Sequence, residues 1–128
     1  MKYLMDTDVV VNHLRGKEKL SSQLISHGLA VSVITLAELY YGAYKSDDKQ
    51  VALISVDKTL SRLAVTQMPI SEEVISVYAD LKVRLEKKGN RLDDFDLLIA
   101  ATAIANNLTL VSNNLKHFGR IPELEVYS

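Results

Sequence analysis

Short apolar runs alternate along this chain with longer amphipathic ones, and capping or turn residues separate them. Lys2–Met5 reads as a strand ended by Asp6-Thr7-Asp8, after which Val9, Val10 and Leu14 recur at helical spacing. A second helix is predicted from Lys17 towards His27, stopped by Gly28 in the left-handed position that closes many helices. Leu29–Val33 is apolar and β-branched, the mark of a buried strand. Thr35 opens the next helix, and Glu38 stands three residues on, in the register of a capping box. An amphipathic helix over about Gln50–Leu63 leads to a third strand, Ala64–Met68, closed by Pro69. Ser71-Glu72-Glu73 caps a helix that runs to Gly89.

Past a loop at Asn90–Leu92, Asp93-Asp94-Phe95-Asp96 enters Leu97–Ala105, which is apolar except for Thr102. A helix with no polar face is buried all round, so this one is expected at the centre of the fold. Leu108–Ser112 is a fourth strand, Asn113–Phe118 a turn or short helix, and Glu125–Tyr127 a fifth strand. Strands alternating with helices imply the α/β class: a three-layer α/β/α arrangement around a central, mainly parallel sheet of four to five strands. With 128 residues and no repeat, linker or low-complexity tract, residues 1–128 are expected to form a single domain.

Composition narrows the chemistry. Cysteine is absent, and His13, His27 and His117 are scattered without ligand-like spacing, which argues against a zinc centre. Any metal would be held by oxygens and so be hard, such as Mg²⁺ or Mn²⁺. The apolar run at Met1–Met5 is cut off by Asp6 and Asp8 before it reaches signal-peptide length, and no stretch nears the ~18 apolar residues of a membrane helix. A cytoplasmic protein with no membrane contact is expected. The net charge of −1 lacks the basic excess usual in nucleic-acid binders, so a phosphate-binding surface would have to be local. Lys82, Arg84, Lys87, Lys88 and Arg91 are the densest basic group, although cations there also suit the C-terminal end of a helix.

The acids are more informative. Open parallel sheets bind ligands beyond the carboxyl ends of their strands, where the strand order reverses. Asp6 follows the first strand, and Ser112-Asn113-Asn114 follow the fourth; if those strands are neighbours, these groups share one rim. Asp96 begins the helix that precedes strand four, and Glu38 opens the helix after strand two, which places both at the same edge. Carboxylates gathered there repel one another, and a divalent cation removes that cost. Such a cation can polarise a phosphate and activate water for phosphodiester hydrolysis. Each acid also has a structural reading. Asp6 can cap the first helix, Asp96 can pair with Asp93 in a cap, and Glu38 can complete the box with Thr35. Asp8, Asp93 and Asp94 read as solvated first-turn acids, Tyr40, Tyr41 and Tyr44 as packing aromatics, and His117 as a surface residue.

Four segments resemble a known family: Tyr3-Leu4-Met5-Asp6-Thr7-Asp8, Ser32-Val33-Ile34-Thr35-Leu36-Ala37-Glu38-Leu39-Tyr40-Tyr41-Gly42, Phe95-Asp96-Leu97-Leu98-Ile99-Ala100-Ala101, and Leu110-Val111-Ser112-Asn113-Asn114-Leu115-Lys116-His117-Phe118. In this order, over nearly the whole chain, they resemble the PIN-domain ribonucleases, specifically the VapC-type toxins of toxin–antitoxin pairs. The resemblance implies a homodimeric nuclease that cuts RNA, with structured RNA such as tRNA a plausible substrate, using Mg²⁺ or Mn²⁺. It implies that Asp6 and Asp96 are metal ligands and that Glu38 completes a catalytic acidic pocket. Thr7, Ser112, Asn113 and Asn114 become the groups expected to meet substrate. It also implies a cognate antitoxin that blocks the pocket. Two positions depart from the family pattern: Asp8 stands where Asn is common, and His117 stands where an acid is common. Asn114 or Asp94 would then have to substitute for a fourth carboxylate, which leaves one metal or two open.

Asp6-Thr7-Asp8-Val9-Val10 also resembles the first motif of haloacid-dehalogenase-like phosphatases, in which Asp6 would be phosphorylated. That reading lacks a later acidic pair directly after a strand. A phospho-receiver module would need an Asp where Met68-Pro69 stands, and a catalytically weak binding module on the PIN fold is the remaining alternative.

Overall fold

The computed structural model describes residues 2–128; Met1, at the head of the short apolar run, lies outside the described residues. The elements run β1 (Tyr3–Met5), α1 (Thr7–Leu14), α2 (Ser22–Ser26), β2 (Leu29–Ser32), α3 (Val33–Lys45), α4 (Lys49–Arg62) and β3 (Thr66–Met68). They continue with α5 (Glu72–Lys87), α6 (Asp94–Ala105), β4 (Thr109–Val111), α7 (Leu115–Phe118) and β5 (Val126–Tyr127). The strands form one sheet in the order β3-β2-β1-β4-β5, and every pairing is parallel.

Strand periodicity explains the layers. Successive side chains point to opposite faces, and neighbouring strand residues divide accordingly between two cores. Leu4, Ala30 and Leu110 join Val74, Leu81 and Leu85 of α5, the apolar length of α6, and Phe118. Met5, Leu29, Val31 and Val111 join Val9 and Val10 of α1, Leu24 of α2, Leu39 of α3, and Val56 and Leu60 of α4. The result is α/β/α. In α6, Leu97 and the run Ile99–Ala103 are buried, as expected of a helix without a polar face.

Several boundaries differ from expectation for local reasons. The second helix is confined to Ser22–Ser26, because Ser21 caps it by accepting from Leu24 N–H at 3.2 Å. The preceding residues form a loop, and Gly28 adopts φ +89°, the conformation expected of it. β2 stops at Ser32, whose Oγ accepts from Ile34 N–H at 3.0 Å and starts α3 at Val33, overriding the β preference of Val33-Ile34. The third strand begins at Thr66 rather than Ala64, since Ala64 (φ +52°) closes α4 and Val65 N–H returns to Leu60 O at 3.0 Å.

The strand order reverses at β1. The chain builds outward from β1 through β2 to β3, then crosses to the other side of β1 to lay down β4 and β5. The switch point lies between β1 and β4, with Met5 opposite Val111 at their carboxyl ends.

Candidate active site

Asp6 and Ser112 follow that last paired register, one on each side of the switch point. Asp6 is only 6% exposed, and both its oxygens are held: Oδ1 accepts from Thr7 N–H at 2.8 Å and Oδ2 from Ser112 Oγ–H at 2.8 Å. It therefore does cap α1. Capping and burial together fix its orientation at the sheet edge. Removal from water disfavours the carboxylate more than its two donors favour it, and the charges of Asp8 and Asp96 push the same way. The pKa of Asp6 is raised to about 6.

Glu38 arrives from α3, where the expected capping box with Thr35 is absent. Ser32 is the N-cap, so Thr35 sits inside the helix with its side chain fully buried. Glu38 Oε1 instead accepts from Thr7 Oγ–H at 2.6 Å, and Thr35 Oγ1 lies 3.1 Å from the same hydroxyl. Thr7 thus ties the start of α1 to α3 and aims Glu38 at the rim.

Asp96 lies in the first turn of α6, half-buried. The N-cap Asp93 makes no side-chain cap bond, so the structural pairing of Asp93 with Asp96 is not formed. His117 Nδ1 stands 3.6 Å from Asp96 Oδ2, long for a hydrogen bond. Burial raises the pKa of Asp96; His117 opposes the rise, while the charges of Asp93 and Asp8 add to it. Glu38 and Asp96, with Asp93, Asp94 and Phe95, line one open depression of about 310 Å³.

The other expected groups divide by what already holds them. Ser112 is fully buried; its oxygen donates to Asp6 and accepts from Asn114 N–H at 3.0 Å, so it positions the acid and does not face substrate. The Thr7 hydroxyl is likewise taken by Glu38. Asn114 Nδ2 lies 3.0 Å from His117 Nδ1, which holds the imidazole beside Asp96. Asn113 is exposed at the rim. Asp94 does not serve as a spare carboxylate for the cluster: Lys82 Nζ and Tyr78 Oη each reach its Oδ1 at 2.8 Å and depress its pKa. Within the basic group, Lys82 is bound to Asp94 and Arg84 to Asp80 and Glu123. Sequence reading missed the contact of Thr35 with Thr7 and the place of Phe95 in the depression; a Thr among apolar helix residues and an aromatic between two acids were the available signals.

Among the described residues, no three His, Asp or Glu side chains are gathered so as to enclose an ion by themselves. What the rim offers is a pair, Asp6 and Asp96, close enough for the charge of one to raise the pKa of the other. Two carboxylates with water completing the shell are a usual way to hold Mg²⁺, and the donors are all hard oxygens. Burial that disfavours both anions is relieved by a cation between them. The residues therefore fit such an ion.

Comparison with known proteins agrees with this geometry. The family model for the PIN domain matches residues 3–124. The chain is 39% identical over 132 residues to Ribonuclease VapC2 of Rickettsia felis, covering 97% of this chain and 95% of that one. It is 30% identical over 129 residues to the tRNA(fMet)-specific endonuclease VapC of Salmonella typhimurium, covering 98% and 96%. A crystal structure of VapBC2 from Rickettsia felis bound to a DNA fragment from their promoter contains a chain that superposes with TM-score 0.89 at 36% identity, over 99% of this chain and 98% of that one. The chain belongs to the PIN-domain family, among its VapC-type members.

Proposed function

We propose that this chain is an endoribonuclease that hydrolyses RNA phosphodiester bonds with Mg²⁺ or Mn²⁺, and that it is the toxin of a toxin–antitoxin pair. The observation that carries this reading is the pair Asp6 and Asp96, both with raised pKa, at the switch point of a parallel sheet. Among the described residues, neither forms a salt bridge with Lys or Arg. Acids kept unpaired in a partly dry place are costly unless they have a task.

Asp6 and Asp96 would hold the ion. When bound, it supplies positive charge to the phosphate in flight and acidifies water beside it. Ser112 and Thr7 N–H hold Asp6 in a fixed rotamer, so its oxygens present one geometry. Glu38, aimed by Thr7, is the base that accepts the proton of the attacking water. Asn113, exposed at the rim, and Asn114 behind it would orient the sugar–phosphate backbone. Structured RNA, tRNA included, is the substrate class, by likeness to the Salmonella typhimurium enzyme. The chain works as a homodimer in the cytoplasm. Its antitoxin lays an apolar segment into the groove of about 470 Å³ lined by Val11, Leu14, Leu39, Ala43, Val51 and Val56, because Glu38 lines that groove as well as the acidic depression. One partner would then cover both.

The decisive experiment incubates purified chain with a tRNA pool, with Mg²⁺ and with EDTA. Cleavage only with metal, lost at least about a hundredfold in Asp6→Asn and Asp96→Asn that remain folded, supports the reading. Metal-independent cleavage, or full activity in either variant, overturns it. Covalent phosphate on Asp6 would transfer the site to phosphatase chemistry.

A further inference from the structure

Phe95 is the one residue lining the acidic depression that carries no charge, and it is 48% exposed. Its neighbours in α6 explain why this is odd. From Leu97 onward the helix is packed so closely that Leu97 and the run Ile99–Ala103 are buried, yet two residues earlier a large aromatic stands in water. Capping does not need it, because N-cap duty falls on Asp93 and the first turn already has acids. Packing does not need it either, since Phe95 belongs to neither core.

We propose that Phe95 is a base-stacking platform that seats the nucleotide beside the scissile phosphate, an inference that rests on the ribonuclease reading above. Glu38, Asp93 and Asp96 line the depression around the ring with negative charge, and Asp94 beside them is matched by Lys82. Bare RNA phosphates are repelled there, whereas a nucleobase is neutral and presents a flat π face. Single-stranded RNA is held largely by stacking of unpaired bases on Phe, Tyr, Trp or His. The division of labour follows from the depression itself. Asp96, which with Asp6 would hold the ion, marks the place of the phosphate, and Phe95 beside it takes the attached base. A ring at the second position of a helix is carried on rigid backbone, so a stacked base fixes how far the sugar–phosphate chain reaches towards Asp96. Because stacking has no donor–acceptor code, the site tolerates any base and prefers one splayed from its neighbours, as in a loop. This predicts cutting in single-stranded or looped segments and none in uninterrupted duplex.

The test uses the full chain with a short RNA it cleaves, carrying 2-aminopurine at successive positions around the cut. In single-turnover reactions with metal, the parent should quench one position before cleavage, and Phe95→Tyr should keep that quench. Phe95→Ala should lose it, with kcat/KM down roughly tenfold or more, the size expected for one stacked base. Melting temperature and oligomeric state should not change, because the ring is exposed. If Phe95→Ala keeps the quench and the parent rate, the platform is wrong and the ribonuclease reading stands. If Phe95→Ala alters the oligomeric state, or weakens only the binding of an antitoxin segment, the ring belongs to a protein interface and the proposal is overturned. If the parent cuts no RNA at all, both readings fall together.

Discussion

Asp94 and Asp96 stand two residues apart in the same helical turn and have opposite surroundings. Asp94 faces α5, where Lys82 and Tyr78 bind its oxygen and hold its pKa below the usual range. Asp96 faces the rim with Asp6 and Glu38, where burial and like charges push its pKa up and His117 is the nearest positive-capable group. Along the α5 surface the pattern repeats, with Arg84 between Asp80 and Glu123. Side chains two apart on a helix do not share a face, so one turn can serve both purposes. The contrast separates two uses of charge. Exposed acids along α5 and α6 are matched by cations, and the acids at the rim are held in place by neutral donors such as Ser112 and Thr7 and left unmatched.

Removing an unmatched acid should therefore stabilise the fold, and this is the largest effect expected. Asp6 titrates at about 6 in the fold against about 3.8 in the open chain. A carboxylate whose folded pKa is raised costs the fold nothing at low pH. Its penalty grows as pH rises from about 4 to about 6 and is complete above that. At neutral pH the ceiling is about 3 kcal/mol. Asn in its place keeps one acceptor, for Thr7 N–H, and its NH2 donates to Ser112 Oγ where Asp6 accepted, a net loss of about 1 kcal/mol, so Asp6→Asn in EDTA should gain about 1–2 kcal/mol and melt about 5 °C higher at pH 7. Its stability should also lose the fall between pH 4 and 6 that the parent shows. Calorimetry across that range decides the matter: an Asn variant that melts lower at pH 7 and keeps the parent's slope makes Asp6 a structural cap only.

Ser112→Ala comes next. It removes the donor on Asp6 Oδ2 and the acceptor of Asn114 N–H, so both Asp6 and the loop that carries Asn114 lose their anchor. Cleavage should fall about 10- to 100-fold, the range for losing a group that orients a metal ligand. The apparent affinity for Mn²⁺, read by isothermal titration, should fall with it. If Ser112→Ala binds Mn²⁺ and cleaves like the parent, Asp6 is positioned by Thr7 N–H and burial alone.

The sheet and its rim were legible because strand and helix periods differ sharply and because Asp6 and Ser112 directly follow apolar strands. The parallel topology then carries residues from four distant segments to one edge whatever their local role. Capping was less legible. Thr35 and Glu38 have the spacing of a capping box, but Ser32 three residues earlier competes for the same duty and wins, which frees both side chains to meet Thr7. The division between Asp94 and Asp96 could not be read either. It depends on Lys82 and Tyr78 in a different helix, a tertiary contact that no local spacing encodes. The exposure of Phe95 was hidden for a related reason: local sequence does not say whether an aromatic at the start of an apolar helix is covered by another element or left in water.

The smallest effect is expected where the charges are matched. Lys82 and Asp94 are both substantially exposed, at 37% and 55% of their side chains, and water and salt screen such a pair. Lys82→Met keeps an aliphatic side chain at this position of α5 and removes the charge, so Asp94 loses its ion pair but keeps the Tyr78 hydroxyl. Asp94 lines the depression with Asp96 but is exposed, so water and salt screen its released charge and little negative potential is added at Asp96. Cleavage by Lys82→Met should stay within about twofold of the parent, and its melting temperature should barely move. The informative reading is the dependence on Mn²⁺ concentration. A variant that takes up a second equivalent of Mn²⁺ would show that Lys82 keeps Asp94 out of the metal site, so that the line between matched and unmatched acids is drawn by one lysine and not by the helix. An unchanged Mn²⁺ stoichiometry means that the helix itself, by pointing the two side chains apart, sets which acid serves the rim.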